Sequence, residues 1–310
     1  SDTLGQYSTA VGYAALFSQN QTTAVNTYNV AVGYNAGGAV TTGVQNTIVG
    51  GVAGDALTTG TDNVAIGYAA LSAEDAHGLN VAVGSQALRV QNAGANAYNI
   101  GIGYNAGGAV TTGTALTLIG GLAGDALTDC DFNTSVGFAS LSADTLGSKT
   151  TAIGYQALAT QNFTTATDTF NTAVGFQAGT AVTTGVENTL IGGLAGDALN
   201  TGKENVAVGT YALTTDTKGN KNVAVGRLAL ADQNFTTATD SYNVGVGFSA
   251  GGDITTGVQN TILGALAGDA LTDADENVAV GISALSSDTL GSKSVAVGAG
   301  SLFTQNFTTA

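Results

Sequence analysis

A glycine that returns every seventeen residues dominates this sequence and limits what it can become. It occupies positions 12, 33, 50, 67, 84, 103, 120, 137, 154, 175, 192, 209, 226, 247, 264, 281 and 298, each time closing Asn-[Val/Thr/Ile]-x-[Val/Ile/Leu]-Gly or a near variant. The spacing is 21 and then three times 17, so four units make a higher repeat of 72 residues, shortened to 70 where one spacing is 19. These superperiods run 12–83, 84–153, 154–225 and 226–297, and the repeat covers residues 1–310 as one continuous region. Seventeen residues are too few for a helical-hairpin repeat but suit one coil of a β-solenoid. At about 4.8 Å between strands, seventeen such coils would make a thin rod about 80 Å long.

Composition agrees with an ordered, repetitive chain. Hydrophobic residues make up 44% and mean hydropathy is +0.22, which excludes disorder. There is no Pro and no Gly-X-Y period, which excludes collagen. Seven Lys and Arg stand against 22 Asp and Glu, a net charge of −15, so a nucleic acid partner is not expected. The single cysteine, Cys130, has no partner for an intrachain disulfide and no CxxC context. No apolar run is long enough for a spanning helix, so no membrane insertion by this segment is expected. The first residues, Ser1-Asp2-Thr3-Leu4-Gly5, do not resemble a secretion signal. The absent initiator Met suggests a fragment of a longer fibre or a processed chain, with any signal or anchor lying outside it.

Each column of the repeat carries a structural expectation. Val, Ile or Thr three residues before the glycine, and Val, Ile or Leu one before it, should turn one face of a short strand into a core. The residue between them is usually Ala, and becomes Ile48, Leu118, Leu190 and Ile262 once per superperiod. That column is expected on the opposite face, where it would be buried between chains. Asn four residues before the glycine, as at Asn63, Asn188 and Asn205, should form a stacked amide ladder. The glycines, Gly67, Gly84, Gly192 and Gly209 among them, mark the turn. Two short strands and two turns are expected per coil.

Asn63-Val64-Ala65-Ile66-Gly67, Asn80-Val81-Ala82-Val83-Gly84 and Asn205-Val206-Ala207-Val208-Gly209 resemble the coils of trimeric autotransporter adhesin heads. Those heads are left-handed parallel β-rolls. Units such as Asn171-Thr172-Ala173-Val174-Gly175-Phe176-Gln177-Ala178-Gly179 also resemble repeats of phage tail fibres. The resemblance implies an all-β left-handed roll, a homotrimeric fibre, an extracellular place on a virion or bacterial surface, and a host glycan or receptor as partner. The regular seventeen-residue coil, and the four extra residues once per superperiod, depart from the adhesin head and favour the tail-fibre branch.

The insertions are the expected contact loops, because polar loops on a rigid scaffold commonly carry recognition. They present Asn162, Phe163, Thr164 and Thr165, then Asn234, Phe235, Thr236 and Thr237, with Lys149, Lys218, Lys221, Arg227 and Lys293 nearby. Asp55, Asp125, Asp197 and Asp269 recur in Gly-Asp-Ala-Leu and would gather three carboxylates on a threefold axis. A solvated or turn-capping role is the expectation for them, with no metal and no cofactor. The aromatics after the glycine, such as Tyr13, Tyr34, Tyr155 and Phe176, are expected to pack on neighbouring coils or chains, or else to offer a stacking surface to sugars. His77 is the only histidine and is expected in a solvated loop, and no catalytic constellation is found. The rival functions are a fibre-borne polysaccharide depolymerase, which needs an acidic pair, and an ice-binding solenoid, which needs a regular Thr array.

Overall fold

The protein was analysed as a computed structural model that describes residues 4–309; Ser1–Thr3, the start of the stretch read as lacking a signal, lie outside them. The chain divides into two units, Ser1–Thr150 with Asn162–Asp168 and Thr151–Gln161 with Thr169–Ala310. Each is an all-β parallel solenoid without helix among the described residues, together about seventeen turns. In the first unit eight three-residue strands run from Thr9–Val11 to Thr134–Val136. In the second, nine run from Thr151–Ile153 to Val295–Val297. Within a unit every strand pairs in parallel with the equivalent strand of the next coil, Val206 with Val223 and Val223 with Val244, so identical columns stack without slipping.

Left-handed backbone keeps the strands short. Around Gly209 the chain turns at Glu204, Tyr211 and Leu213, with φ of 59°, 59° and 52°, and the same three places turn in nearly every coil. These are uncommon conformations for residues with a Cβ, tolerated because each turn is clamped by its neighbours. Tyr211 N–H donates to Gly193 O, and Leu213 N–H donates to Ala229 O, at 3.1 and 3.0 Å. One regular strand per coil results, not the two expected. Among the described residues a second, two-residue pairing appears at three places, Gly5–Gln6 with Val25–Asn26, Gly147–Ser148 with Thr167–Asp168 and Gly219–Asn220 with Thr239–Asp240.

The strand faces are the reverse of the sequence expectation. Inside the coil stands the middle residue: Ala31, Ile48, Ala65, Leu118, Leu190 and Ala207 are all fully buried. The β-branched residues on either side point outward, and Val32, Ile102 and Ile191 remain 36–39% exposed. The reason lies in the width of the coil, which is filled from its other wall. Where the residue four after the glycine is Leu, as at Leu88, a Cβ on the facing Gly101 would sit 2.7 Å from its Cγ. Where that residue is Gly, the space passes to the strand: Leu190 fills the room above Gly179 and Gly196, whose Cβ atoms would lie 2.6 and 2.7 Å from its methyls. A buried Val, Leu or Ile seven residues after the glycine accompanies each such Gly, as Val182, Leu199 and Ile254 do. The four-coil superperiod is therefore an exchange of volume between walls at near-constant packing.

The asparagine column is buried, but it binds backbone more than it stacks. Asn188 Oδ1 accepts the Asn205 N–H at 3.1 Å, and Asn188 Nδ2 donates to Gly202 O at 2.9 Å. Asn205 repeats both contacts one coil on, to Asn222 N and Gly219 O. Asn63 Oδ1 likewise accepts from Asn80 N, and its Nδ2 donates to His77 O. Where the amides also touch, the direct contact is longer than the backbone contact of the same pair, 3.1 against 3.0 Å for Asn222 and Asn205 and 3.3 against 2.9 Å for Asn46 and Asn29. Each carboxamide thus satisfies an inner-corner N–H and C=O that no strand partner reaches.

Candidate functional site

The insertion loops are built on a buried acid. Asp216, seven residues after Gly209, is fully buried. Its Oδ1 accepts the N–H groups of Gly219 at 2.9 Å and Phe235 at 3.2 Å, and its Oδ2 accepts Gln233 Nε2 at 2.6 Å. Gln233 Oε1 in turn accepts Asn243 Nδ2 at 2.8 Å, which joins the acid to the asparagine column. Asp144 and Asp288 repeat the arrangement, Asp144 Oδ1 with Gly147 N and Phe163 N, and Asp288 with Gly291 N, Phe307 N and Gln305 Nε2. These acids were not singled out from the sequence. The signal that could have found them is Gln seventeen residues after Glu74, Asp144, Asp216 and Asp288, at 91, 161, 233 and 305.

Above the acid the loop presents its residues unequally. Phe163 and Phe235 are plugs, only 7% and 6% exposed, so their rings are not contact surface. Asn162, Thr164, Thr165, Thr236 and Thr237 are exposed and Asn234 is half-buried. Lys149, Lys221 and Arg227 are engaged within the chain. Lys149 Nζ lies 2.6 Å from Asp168 Oδ2, and Lys221 Nζ lies 2.5 Å from Asp240 Oδ2. Lys221 also lies 5.2 Å from the centre of the Tyr242 ring, and Arg227 lies 5.7 Å from that of Phe248. Donating to Asp240 and Tyr242 holds the Lys221 ammonium above its ordinary pKa, and Lys221 holds the Asp240 carboxyl below its own.

The Gly-Asp-Ala-Leu acids stand apart from this network. Asp55 Oδ2 lies 3.4 Å from Asn35 Nδ2, Asp125 Oδ2 lies 3.5 Å from Asn105 Nδ2, and Asp197 Oδ1 accepts from Thr214 Oγ1. Burial pushes the carboxyls of Asp55, Asp125 and Asp269 above the ordinary 3.8, Asp269 with added repulsion from Asp253. Oδ1 of Asp125 and of Asp269 is buried without a hydrogen-bond partner among the described residues. His77 belongs to the corner where the fully buried acid is a glutamate. There Glu74 replaces Asp, and its Oε1 accepts His77 N at 3.2 Å and lies 3.3 Å from His77 Nδ1. Among the described residues, Glu74, Asp75 and His77 are one group whose potential metal-ligand atoms come within 4.8 Å of one another.

The outward face is the other feature of functional size. Tyr34, Tyr104, Phe176 and Phe248, directly after their glycines, are exposed beside the outward Val and Ile columns. Tyr13 stacks on Tyr34 with centroids 5.5 Å apart, and Tyr155 stacks on Phe176 at 5.3 Å, both at 9° between planes. Stacking along the coils covers ring faces and leaves edges outward, which suits packing better than sugar recognition. Cys130 is buried, and burial, reinforced by the charge of Asp144, pushes its thiol up to about 12, so it is not a reactive thiolate. No helix among the described residues is long and apolar enough to cross a membrane. Neither family models nor curated proteins nor solved structures give a match to this chain.

Proposed function

We propose that this chain is a non-catalytic segment of an extracellular fibre that assembles as a homotrimer and attaches to a host cell or surface through many weak contacts. The observation that carries the reading is the outward sheet face: columns of Val, Ile and Thr, with exposed aromatics at intervals along their edge, in each unit. A water-facing apolar surface of that regularity is what a self-associating chain presents. Its partner is therefore a second and third copy meeting on this face. The interface is thus assigned to the Val and Ile columns, since the Ala column is occupied inside the coil.

Three chains carry three times −15, or −45, which favours solubility and opposes lateral aggregation. The exposed insertion residues Asn162, Thr164, Thr165, Asn234, Thr236 and Thr237 then repeat along the fibre, and repeated weak sites give avidity without one strong pocket. The repeat's likeness to autotransporter heads and tail fibres supports a left-handed roll and a place on a virion or bacterial surface, with the regular coil favouring the virion. Binding of the labelled chain to an array of cell-surface polysaccharides tests the adhesive part. The expected result is retention that weakens in steps as Thr164, Thr165, Thr236 and Thr237 are replaced by Ala one loop at a time. Binding to no array member, or binding indifferent to all four changes, would contradict it.

A further inference from the structure

We propose that the insertion loops are acceptor sites for asparagine-linked sugar, at Asn162, Asn234 and Asn306 and at the equivalent Asn20. The motif Asn-x-Thr, which supplies a carboxamide and a hydroxyl two residues later with no Pro between, stands at Asn162-Phe163-Thr164, Asn234-Phe235-Thr236, Asn306-Phe307-Thr308 and Asn20-Gln21-Thr22. The first three are 72 residues apart, so the motif keeps the superperiod rather than falling at random. One insertion lacks it, where Asn92-Ala93-Gly94 has no hydroxyl.

The structure makes these motifs reachable. Asn20, Asn162 and Asn306 are exposed and Asn234 is half-buried, while Thr22, Thr164, Thr236 and Thr308 are all exposed. In the Asn162 and Asn234 loops the intervening residue is the buried Phe plug, which fixes the loop and leaves its neighbours outside. The Asn162 carboxamide makes one long contact, 3.2 Å to Thr145 Oγ1, and that hydroxyl gives its shorter bond, 2.8 Å, to Phe163 O. Asn234 and Thr217 repeat this at 3.1 and 2.9 Å. These carboxamides are therefore not needed by the fold.

The chain contains its own control. Asn133-Thr134-Ser135 is the fifth such motif, but Asn133 is fully buried in the asparagine column. Its Nδ2 donates to Gly147 O at 2.7 Å and its Oδ1 accepts from Thr150 N at 2.8 Å, so the folded chain cannot offer it.

The co-reactant is a sugar activated on a diphosphate, delivered by a separate transferase. The Asn nitrogen forms a bond to the anomeric carbon, the carbon–oxygen bond to phosphate breaks, the diphosphate leaves with the electron pair, and the amide proton passes to a base of the transferase. This inference does not depend on the adhesive role, and its readout is covalent mass rather than binding. The experiment incubates the folded chain with a soluble asparagine glycosyltransferase and UDP-glucose, with synthetic peptides of all five motifs as unfolded controls, and maps hexose by peptide mass spectrometry. Hexose is expected at Asn162, Asn234, Asn306 and Asn20 of the folded chain and at none of its Asn133. Thr164→Ala should abolish it at Asn162 alone, and Thr236→Ala at Asn234 alone. Folded chain without hexose in the insertions, or with equal occupancy at Asn133, would overturn the proposal.

Discussion

At the scale of single residues, the glycine column is the least replaceable part of the molecule. Gly192 has φ of +137°, and a Cβ there would lie 2.7 Å from both the carbonyl carbon and oxygen of Gly209 in the next coil. Gly192→Val should therefore cost about 3 kcal/mol or more, from combined backbone strain and collision, and a much lower melting temperature would show it. The acids make a second prediction. A carboxyl whose pKa is raised by folding holds its proton more tightly in the folded chain, so stability falls as pH rises through the interval just above 3.8. The triple variant Asp55→Asn, Asp125→Asn, Asp269→Asn should melt above the parent at pH 7, and the difference should shrink as the pH drops to about 4. Melting curves at the two pH values measure it. The glycine's role was readable in the sequence because it returns in every unit; the burial of Asp144, Asp216 and Asp288 was not, because an acid beside Thr and Gly has the composition of a solvated turn.

Among the elements, each three-residue strand depends on what lies across the coil, and this is why its inner face was misread. Alternating β-branched residues around Ala report a strand, yet they do not say which side has room. That is decided by Leu or Gly four residues after the glycine, together with Val, Leu, Ile, Asp, Glu or Gln three further on, side chains that belong to the opposite wall. Once both columns are set together, Leu190 opposite Gly179 and Gly196 becomes intelligible as filling a gap. The left-handed turns were also hidden, because Glu204, Tyr211 and Leu213 are not residues that announce positive φ. The polar coil has an equally definite dependence. Asp216→Ala would leave Gln233 Nε2 and the N–H groups of Gly219 and Phe235 without their acceptor. A loss of about 2–4 kcal/mol is expected in chemical denaturation, the range for buried groups stripped of a hydrogen-bonded partner. Asp216→Asn, which keeps one acceptor oxygen, should lose less.

For the whole molecule, the question is what covers the outward Val, Ile and aromatic positions, and the proposed cover is other copies of the same chain. Ile191→Asp, on that face and not in the coil interior, should separate the copies while each chain keeps its β-sheet signal in circular dichroism. The most direct measurement is the solution mass of the intact chain by light scattering after size exclusion, beside that variant. One chain weighs 30.3 kDa, so three weigh 90.9 kDa; the parent should give a mass near the larger value and the Ile191→Asp variant one near the smaller. A parent that remains at 30.3 kDa at every concentration tested would contradict the account, since the outward apolar face would then be stable in water without a partner.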